Sequence, residues 1–486
     1  MSKISTIAII GAGISGLSAG GLLSRQGLRV KLFEANAKVG GSCGTTRLGG
    51  YTFNDGALYL AFPNLLDHVF AKLDRDRAAL LPLRKIVANQ TTILPDASVV
   101  TFGDGLDVTV RKCKGTVNGA QLEQELRRMM QRWEPVLHLF ADDIILHPFS
   151  LSRLIRKGWR HLPKLRGTVA AELDQLISDE AVRAAMAGML LYTGLPPQRT
   201  PALTLLGLIT MFSQGFYLPE GGMGRIPEVL GQCVRDNGGE VYLDAKVRKI
   251  IVRDERVRGL EVDGHGLVEA DAVISTVSGM VTVDTLLDPA DVPNSMRREV
   301  QSAPLSHKVL AVQLGLSKRI DAPSHANSIL PMMDRQIEFF DPSDHEVKWL
   351  HYTAPTVTMP ELAPQGTSIV EMYPPIRQDV PAGYWDHEKR QIAVDAAIQA
   401  LSRVHDIDVH VDRVLGPKEF QERMHLYRGA VYGLSPAAGP SALFPHSPPI
   451  RGLFQAGQTT YPGFGIGPAA ISGVFAGEKL LKMAGA

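Results

Sequence analysis

A glycine-rich turn near the N-terminus carries the clearest chemical signal in the sequence. Gly11, Gly13 and Gly16 form the pattern G-x-G-x-x-G directly after the apolar run of residues 4–10. In such a turn the first glycine permits a tight bend, the second leaves room for a pyrophosphate, and the third lets helix and strand pack closely. The N-terminus of the following helix would offer free N–H groups and a positive dipole end to phosphates. The pattern therefore predicts a dinucleotide site.

An acidic residue stands where such a site needs one. Glu34 follows Gly16 by about 20 residues, the spacing at which a carboxylate accepts hydrogen bonds from ribose hydroxyls. Apolar residues recur at helical spacing between Gly13 and Gly27, and the apolar run of residues 29–33 leads into the acid. These elements predict a βαβ unit with its glycines at the first strand-to-helix turn. The alternative is a structural turn beside a solvated glutamate.

A second group of glycines distinguishes between two dinucleotides. Gly40 and Gly41 precede Ser42, and Gly56 with Ala57 follows shortly after. Adjacent glycines let the backbone approach an extended ligand where Cβ atoms would clash. A nicotinamide dinucleotide has little need for a second glycine pair so near the first. These residues favour FAD over NAD.

With these motifs the chain resembles the FAD-dependent flavoproteins of the phytoene desaturase and carotenoid isomerase family, which are related to the amine oxidases. Three further parts carry the resemblance: the glycine pair within residues 219–224, the strands expected in 240–252 and 269–275, and the glycine-rich loop of 457–467.

The resemblance implies FAD as the cofactor, with the backbone of Val247 at adenine and the C-terminal loop under the isoalloxazine ring. The residues that it implies for FAD binding are Gly11, Gly13, Ile14, Ser15, Gly16, Glu34, Ala35, Gly40, Gly41, Ser42, Gly56, Ala57, Val247, Gly457, Gly465 and Ile466.

The sequence departs from the family pattern at two places. The family usually has Asp, one residue and Gly-Pro where residues 54–57 read Asn-Asp-Gly-Ala, and desaturases often have His at the place of Tyr461. Asp55 and Tyr461 both lie in segments expected near the flavin, so they are the candidate catalytic side chains. The alternatives are structural: Asp55 would stabilise a turn before Gly56, and Tyr461 would form cavity wall.

The elements around these motifs predict the fold class. We expect an α/β protein: a doubly wound, Rossmann-like FAD-binding domain with an inserted substrate domain of mixed sheet plus helices. The FAD-binding domain would comprise residues 1–72, 217–285 and 421–486, and the substrate-binding domain residues 73–216 and 286–420. The second insert alternates like the remainder of an antiparallel sheet.

The first insert holds the more distinct elements. Alternating segments predict antiparallel strands at residues 91–94, 98–102 and 107–110. Longer stretches with helical periodicity predict helices at residues 121–140 and 168–195.

Composition and competing motifs exclude several classes. Lys plus Arg number 51 and Asp plus Glu 50, so no overall charge selects nucleic acid. Cys43, Cys113 and Cys233 lie far apart, and no zinc or phosphate-loop motif occurs, so no metal is expected. Residues 16–20 match G-x-S-x-G, but Ser18 falls inside the first helix, where that motif has no catalytic meaning.

A basic segment, residues 151–166, has the pattern of a helix lying on an anionic membrane. The alternative is a helix packed on the core with a solvated charged face. Its cations are Arg153, Arg156, Lys157, Arg160, Lys164 and Arg166, and its apolar face is Leu151, Leu154, Ile155, Trp159 and Leu162.

Together these features predict an FAD-dependent oxidoreductase of a long apolar, polyene or isoprenoid-like substrate. Desaturation, saturation or isomerisation would proceed by hydride transfer at flavin N5. One dinucleotide pattern occurs, so a small acceptor such as oxygen or a quinone would take the electrons. The alternatives are a flavin amine oxidase and a non-catalytic lipid or prenyl escort protein of the same fold. With no targeting signal or spanning segment recognised, we expect a cytoplasmic protein with peripheral membrane contact.

Overall fold

The computed structural model describes residues 4–340 and 346–485. Short 3-10 and π-helical segments connect many of its elements. The strands are β1 (Thr6–Ile10), β2 (Arg29–Phe33), β3 (Thr45–Leu48), β4 (Tyr51–Asn54), β5 (Leu83–Ile86), β6 (Gln90–Ile93), β7 (Val99–Phe102), β8 (Val108–Arg111), β9 (Phe216–Pro219), β10 (Glu240–Tyr242), β11 (Val247–Arg253), β12 (Arg256–Val262), β13 (Gly266–Glu269), β14 (Ala272–Ser275), β15 (Ala311–Leu316), β16 (Ala326–Ile329), β17 (Leu350–Thr353), β18 (Ser368–Tyr373), β19 (Val409–Leu415) and β20 (Leu453–Gln455). The α-helices are α1 (Ile14–Arg25), α2 (Pro63–Lys72), α3 (Arg77–Leu80), α4 (Gly119–Leu139), α5 (Leu151–Gly158), α6 (Val169–Leu176), α7 (Glu180–Gly188), α8 (Leu206–Ser213), α9 (Arg225–Asp236), α10 (Gly279–Val281), α11 (Asn294–Ser302), α12 (His387–Ser402), α13 (Pro417–Arg423) and α14 (Ile466–Ala484).

A five-stranded parallel sheet carries the N-terminal glycine turn. Its order is β10-β2-β1-β14-β20, so strands from three separate parts of the chain lie side by side. β1 is central: Ile7 pairs with Val30 on one side and with Ala272 on the other. Strands buried on both faces read as continuous apolar runs, which is why β1 and β14 are so apolar. The predicted α/β, Rossmann-like fold class is confirmed.

Different elements cover the two faces of this sheet. On one face α1 packs against α9 and α14, and the shared core includes Ile7 and Ile9 of β1. On the other face lies the antiparallel meander β11-β12-β13, whose core includes Ala8 and Ile10 of the same strand. The glycine turn follows Ile10 at the carboxyl end of β1, the edge where ligands bind in open α/β sheets.

The second large sheet has eight strands. Its order is β19-β15-β18-β17-β16-β6-β7-β8, and the pairing is antiparallel except where β16 meets β6. β6, β7 and β8 come from the first predicted insert and match the strands predicted there, while β15 to β19 come from the second. The helices α4, α6, α7 and α8 share a core with β7, and α12 packs against β15, β17 and β18. The inserted part is therefore a mixed sheet plus helices, as predicted.

The single helix predicted over residues 168–195 is wrong, because the chain forms α6 and α7 with a break between them. Asp179 caps the second helix: its carboxylate accepts hydrogen bonds from the backbone N–H of Ala181 and Val182. This cap satisfies the free N–H groups at the start of α7, so a new helix can begin there. The apolar residues keep their helical spacing across this boundary, which is why the sequence pattern does not reveal it.

Residues 240–252 also divide, although the sequence predicts one strand there. β10 joins the parallel sheet and β11 begins the meander. Between them Asp244 adopts a φ of 51°, a left-handed conformation that turns the chain from one sheet to the other. The helix α12 was not predicted either, because its alanines, including Ala393 and Ala397, give a weak apolar pattern.

The basic segment is shorter than predicted. The α-helix α5 ends at Gly158, and a 3-10 turn (Leu162–Arg166) that contains Pro163 follows. Leu151, Ile155 and Trp159 lie on one face of α5 and are 59%, 51% and 58% exposed. Leu154 of the same predicted face is half-buried, so the core covers only part of this face and leaves these three side chains exposed. The side chain of Leu162 lies outside the part of the structure that is described.

Candidate functional site

One cavity of about 720 Å³ runs from the glycine turn to the eight-stranded sheet. At one end it is lined by the first turn of α1, by residues after β2 and by the N-terminus of α14. At the other end it is lined by α8 and by residues of β6, β16, β17 and β18. The predicted nucleotide-binding residues and the inserted sheet therefore share one continuous space.

Each of the three positions in the turn requires glycine for a different structural reason. Gly11 adopts a φ of +95°, which side chains rarely tolerate. A Cβ on Gly16 would lie 2.0 Å from the Gly11 carbonyl oxygen, so this glycine allows the helix to pack against the strand. Gly13 lines the cavity, and a Cβ built on it meets no protein atom within 4 Å. Only at Gly13 does the missing side chain leave space for a ligand.

The N-terminus of α1 faces this space. Gly13 is the N-cap residue and offers no side chain to cap the helix, while Leu17 N donates to the Gly13 carbonyl at 3.0 Å. The N–H groups of the first turn have no partner within the helix. Ile14 and Ser15, which begin that turn, line the cavity. The turn therefore presents donors and a positive dipole end to an anion.

Glu34 lines the same cavity and also accepts hydrogen bonds from neighbouring residues of the protein. Its Oε2 accepts a hydrogen bond from Ala12 N at 2.8 Å, and its Oε1 accepts from the backbone N and the side-chain Nδ2 of Asn36 at 3.0 and 2.7 Å. Each carboxylate oxygen has two lone pairs; Oε1 already accepts two hydrogen bonds and Oε2 one, so Oε2 can still accept from a ribose hydroxyl. Glu34 thus holds the glycine turn in shape as well as facing the ligand space.

The second glycine group closes over the first. Gly40 N donates to the Ala12 carbonyl at 2.9 Å, and a Cβ on Gly41 would lie 3.6 Å from Gly13 Cα. Ala57 N donates to the Ser42 carbonyl at 2.9 Å, which ties the two segments together. Because both segments line the cavity, their small residues form a narrow wall of backbone.

The C-terminal loop and the meander complete the nucleotide end. Gly465 has a φ of +101° and is the N-cap of α14, so that a second helix N-terminus, at Ile466, borders the cavity. Gly457 N donates to Ser472 Oγ at 3.0 Å, which fixes the loop to α14. Val247, at the start of β11, lines the cavity near Glu34 and Ala35 in the fold. The predicted cofactor residues all line the cavity except Gly16, which packs behind it.

The residues present therefore fit an extended dinucleotide. The cradle at Gly13 is one that a Cβ would fill, two helix N-termini face the space, and the acidic side chain of Glu34 lines it. The walls are backbone rather than long side chains, which allows close approach.

The two catalytic candidates differ in position. Asp55 lines the cavity, and its Oδ1 accepts from Thr46 Oγ1 at 2.7 Å and pairs with Arg413 Nη2 at 2.8 Å. Tyr461 is not among the residues that line the cavity in the described structure. Its hydroxyl donates to the Ile144 carbonyl at 2.6 Å, and burial raises its pKa to about 12. Its surroundings give Tyr461 a structural contact rather than a place on the cavity wall.

A buried polar network links Asp55 to the eight-stranded sheet. Arg413 also donates to Gln313 Oε1 at 2.6 Å, and Gln313 in turn donates to Glu371 Oε1 at 3.2 Å. Glu371 is fully buried and accepts from Asn54 N at 2.7 Å. The segment of Asn54 and Asp55 is therefore held against β15, β18 and β19 by charge-assisted hydrogen bonds.

Glu371 makes stability depend on pH. Burial raises the pKa of its carboxyl to about 7, while hydrogen bonds from Asn54 and Thr353 and the charge of Arg413 oppose that rise. An acid with a pKa raised on folding destabilises the folded protein as the pH rises from about 4.5 to 7. We expect Glu371→Gln, which does not titrate, to match the wild type near pH 5 and to be more stable at pH 8 by about 3 kcal/mol.

Thermal melting of both proteins from pH 5 to pH 9 measures this difference. A stability difference that stays constant over that range would contradict the role assigned to Glu371. The exposed Glu388→Gln, at the start of α12, is the matched control and should give a flat profile.

The far end of the cavity is largely apolar and aromatic, and sequence reasoning missed it. Its lining comes from residues scattered along the chain, and no spacing pattern relates them. Among these residues are Tyr59, Phe62, Met189, Leu190, Tyr192, Leu208, Met211, Phe216, Phe339, Tyr373, Tyr432 and Phe464.

The charges of the lining are unevenly placed. Among the described lining residues, the carboxylates are Glu34 and Asp55, both at the nucleotide end. The cation at the apolar end is Lys308, whose Nζ donates to the backbone carbonyls of Gln378, at 2.8 Å, and Val380. A cationic ligand would therefore find no opposite charge there.

Within the described residues, no helix is both long enough and apolar enough to cross a lipid bilayer.

Comparisons with known proteins point the same way. The model of the family described as flavin-containing amine oxidoreductases matches residues 14–481. The zeta-carotene-forming phytoene desaturase of Myxococcus xanthus is 26% identical over 98% of this chain and 94% of the relative. The 4,4'-diapolycopene-forming 4,4'-diapophytoene desaturase of a Methylomonas species is 24% identical over 96% of this chain and 93% of the relative.

Solved structures share the fold. An oxidoreductase from Methanosarcina mazei superposes with a TM-score of 0.63 at 16% identity, covering 97% of this chain and 100% of that one. Putrescine oxidase bound to putrescine superposes with a TM-score of 0.61 at 16% identity, covering 98% of this chain and 99% of that one.

Proposed function

The chain belongs to the family of flavin-containing amine oxidoreductases, and we propose that it is an FAD-dependent desaturase of a long polyene or isoprenoid-like substrate. The observation that carries the proposal is one continuous cavity that joins the glycine turn to an aromatic end, where the residues that the structure describes include no carboxylate. Curated relatives that match nearly the whole chain are desaturases of phytoene and diapophytoene. Their names support the same class of substrate here.

The chain's own residues would hold FAD along the cavity. The N–H groups at the start of α1 would bind the pyrophosphate over Gly13, and Glu34 would accept from a ribose hydroxyl. The backbone of Val247 would meet adenine. Ala57 and Ile466, whose segments line the cavity nearer its apolar end, would border the ring system.

Desaturation requires little from side chains beyond positioning. FAD held in this cavity would supply the hydride acceptor for such a reaction, in which one carbon loses a hydride, its neighbour loses a proton to water, and a new double bond joins the two carbons. The aromatic walls would hold the chain with one C–H toward the ring end and exclude water from it. Asp55, held by Thr46 and Arg413, would position the segment of Gly56 and Ala57 rather than take the proton.

The amine oxidase alternative fits this cavity poorly. An amine is protonated at neutral pH, and its charge needs a carboxylate or a strongly polar site. The described lining at the apolar end offers Lys308 instead, a charge of the wrong sign. The superposition on putrescine oxidase supports the fold and not this substrate.

The experiment that tests the proposal compares the two substrate classes directly. We expect protein purified with its flavin to convert a C30 or C40 polyene, supplied in vesicles, to a product with an additional double bond, detected by absorbance and mass. Peroxide release with putrescine or an aromatic amine, together with no polyene conversion, would overturn the proposal.

We further propose that oxygen or a quinone accepts the electrons, because the sequence contains one dinucleotide pattern. Turnover should stop without oxygen and resume when a quinone is added. Turnover that instead requires NAD or NADP would contradict this.

We also propose that α5 docks on an anionic membrane, where a water-insoluble substrate would be found. Its exposed apolar face adjoins the cations Arg156 and Arg160, and the Arg160 guanidinium lies 5.2 Å from the Trp159 ring centroid. Two other cations, Arg153 and Lys157, pair with Asp143, which reduces the local positive charge. The remaining pattern is that of an interfacial helix.

Leu151→Glu should weaken binding to anionic vesicles by about tenfold or more, because it removes an exposed apolar side chain that the membrane would bury and adds a negative charge that the anionic lipids repel. Co-sedimentation with vesicles at rising salt measures this. Leu267→Glu is the matched control, since Leu267 in β13 is also 59% exposed. Two results would contradict the docking role: an equal loss of vesicle binding in both variants, or wild-type binding that does not change with lipid charge or salt concentration.

A further inference from the structure

Four tyrosines line the apolar end of the cavity: Tyr59, Tyr192, Tyr373 and Tyr432. None of their hydroxyl groups has a hydrogen-bond partner among the described residues. Buried tyrosine hydroxyls usually find a partner. This group of phenols therefore has hydrogen-bonding capacity that the protein itself does not use.

The four phenols lie close to one another. Burial raises the pKa of Tyr192, and the neighbouring Tyr59 and Tyr432 raise it further. Burial and then Tyr59 act in the same way on Tyr432, and burial, Glu371 and Tyr432 on Tyr373. All four therefore remain protonated at neutral pH and can donate a hydrogen bond.

They also lie beside the proposed ring end of the cofactor. Tyr432 packs on Phe464 with ring centroids 4.8 Å apart, and Phe464 precedes Gly465 of the C-terminal loop. Tyr59 follows Ala57 by two positions and stacks on Phe216 with ring centroids 4.4 Å apart. The tyrosines thus line the space where, under the proposed function, a substrate would meet the reacting ring.

Lys308 at this end is also a hydrogen-bond donor. Lys308 Nζ carries three N–H donors and uses two of them on the carbonyls of Gln378 and Val380. No carboxylate lines this end among the described residues. His307, His325 and His351 also line this end, and because burial lowers their pKa to about 4, each neutral ring offers one N–H donor and one acceptor nitrogen. The phenols and Lys308 are the groups at this end that are complementary to acceptor oxygens.

A pure hydrocarbon would suit such a lining badly. It would displace water from the hydroxyls and replace none of the hydrogen bonds, which costs binding free energy. Phenylalanine at the same positions would give the same apolar walls without that loss. Four phenols at this end therefore favour a ligand that accepts hydrogen bonds.

We propose that the substrate is an oxygenated polyene, with a carbonyl or hydroxyl oxygen that the hydroxyls of Tyr192 and Tyr432 bind. This rests on the proposed function and narrows its substrate class. The apolar walls hold the chain, and the phenols fix its position along the cavity through the oxygen. Tyr59 and Tyr373 border the same space as further donors.

Binding in the absence of turnover tests this inference. The probes are a pair of polyenes with the same chain length and conjugation, one a hydrocarbon and one a terminal ketone. Each is titrated into the flavin-loaded protein, and binding is followed by the shift of the polyene absorbance. We expect the ketone to bind about tenfold tighter or more.

Tyr192→Phe and Tyr432→Phe should each reduce this preference about threefold to tenfold, while hydrocarbon binding stays equal or improves. Two variants are used so that a folding defect in one leaves the other informative. Tyr217→Phe is the matched control, because the Tyr217 hydroxyl donates to the Gln214 carbonyl at 2.8 Å and lies outside the cavity lining.

Each result decides a separate point. Hydrocarbon binding equal to or tighter than ketone binding in the wild type would overturn this inference and leave the desaturase proposal standing. An equal loss of both ligands in the Tyr192 and Tyr432 variants would also overturn it, because it would show a structural role. Failure of both polyenes to bind would overturn the proposed function as well.

Discussion

Gly13→Val is expected to abolish flavin binding and leave the fold intact. Gly13 has φ −73° and ψ 174°, which valine adopts without strain. No protein atom lies within 4 Å of the added Cβ, so the side chain projects into the cavity instead of the core. That space is where the pyrophosphate would lie against the start of α1. We expect FAD affinity to fall at least about a hundredfold, or ~3 kcal/mol.

Flavin content after purification, together with the melting temperature, measures this effect. Gly119→Val is the matched control: its added Cβ also meets no atom within 4 Å, but Gly119 is exposed at the start of α4. The control should keep its flavin. Wild-type flavin occupancy in Gly13→Val would refute the cofactor position, and a loss accompanied by unfolding would be separated from it by the melting curve.

Gly207→Phe is expected to have the opposite pattern, with flavin retained and turnover lost. Gly207 lies in α8 on the cavity wall, and a Cβ there would be 3.4 Å from the Tyr192 hydroxyl oxygen and 3.6 Å from Leu190 Cδ2. A phenyl group must therefore extend into the apolar end, where a polyene would lie. We expect kcat/KM to fall at least about tenfold, because overpacking of this kind costs ~1–3 kcal/mol.

Steady-state turnover and flavin content of the same preparation measure both parts of this prediction. Ser213→Phe places the same side chain at an exposed position of α8 and should leave turnover unchanged. Undiminished polyene turnover in Gly207→Phe would contradict the assignment of this end of the cavity to substrate. Loss of flavin in that variant would contradict the division of the cavity into two parts.

The nucleotide end could be read from the sequence because its signals are local. The distinct roles of Gly11, Gly13 and Gly16 follow from the turn that their spacing requires, and the structure gives each the expected surroundings. Glu34 could be placed at the site, but its hydrogen bonds to Ala12 and Asn36 could not, because they depend on how the turn closes.

The apolar end could not be read because it depends on tertiary structure. Tyr192 and Tyr373 come from the two inserts, whereas Tyr59 and Tyr432 come from the first and last parts of the proposed FAD-binding domain, and only the packing of all four segments around the cavity brings them together. No periodic pattern in the sequence predicts a cluster of this kind. The same holds for the helix break at Asp179, where a capping side chain overrides a continuous apolar pattern.

The coupling between the two ends also depends on distant contacts. Asp55 beside the nucleotide segment pairs with Arg413 in β19, and Glu371 in β18 accepts from Asn54. These contacts fix the loop that separates the proposed cofactor and substrate spaces. A mutation in the sheet could therefore alter the cofactor position without touching the cofactor.

The most direct test is to mix the flavin-loaded protein with a polyene in vesicles without oxygen, and to record flavin absorbance and polyene mass together. We expect the flavin to bleach as the polyene loses one pair of hydrogens for each flavin reduced. With putrescine in place of the polyene, we expect the flavin absorbance to stay unchanged. Bleaching by the amine with an unchanged polyene would contradict the central claim that this cavity brings a polyene to a flavin.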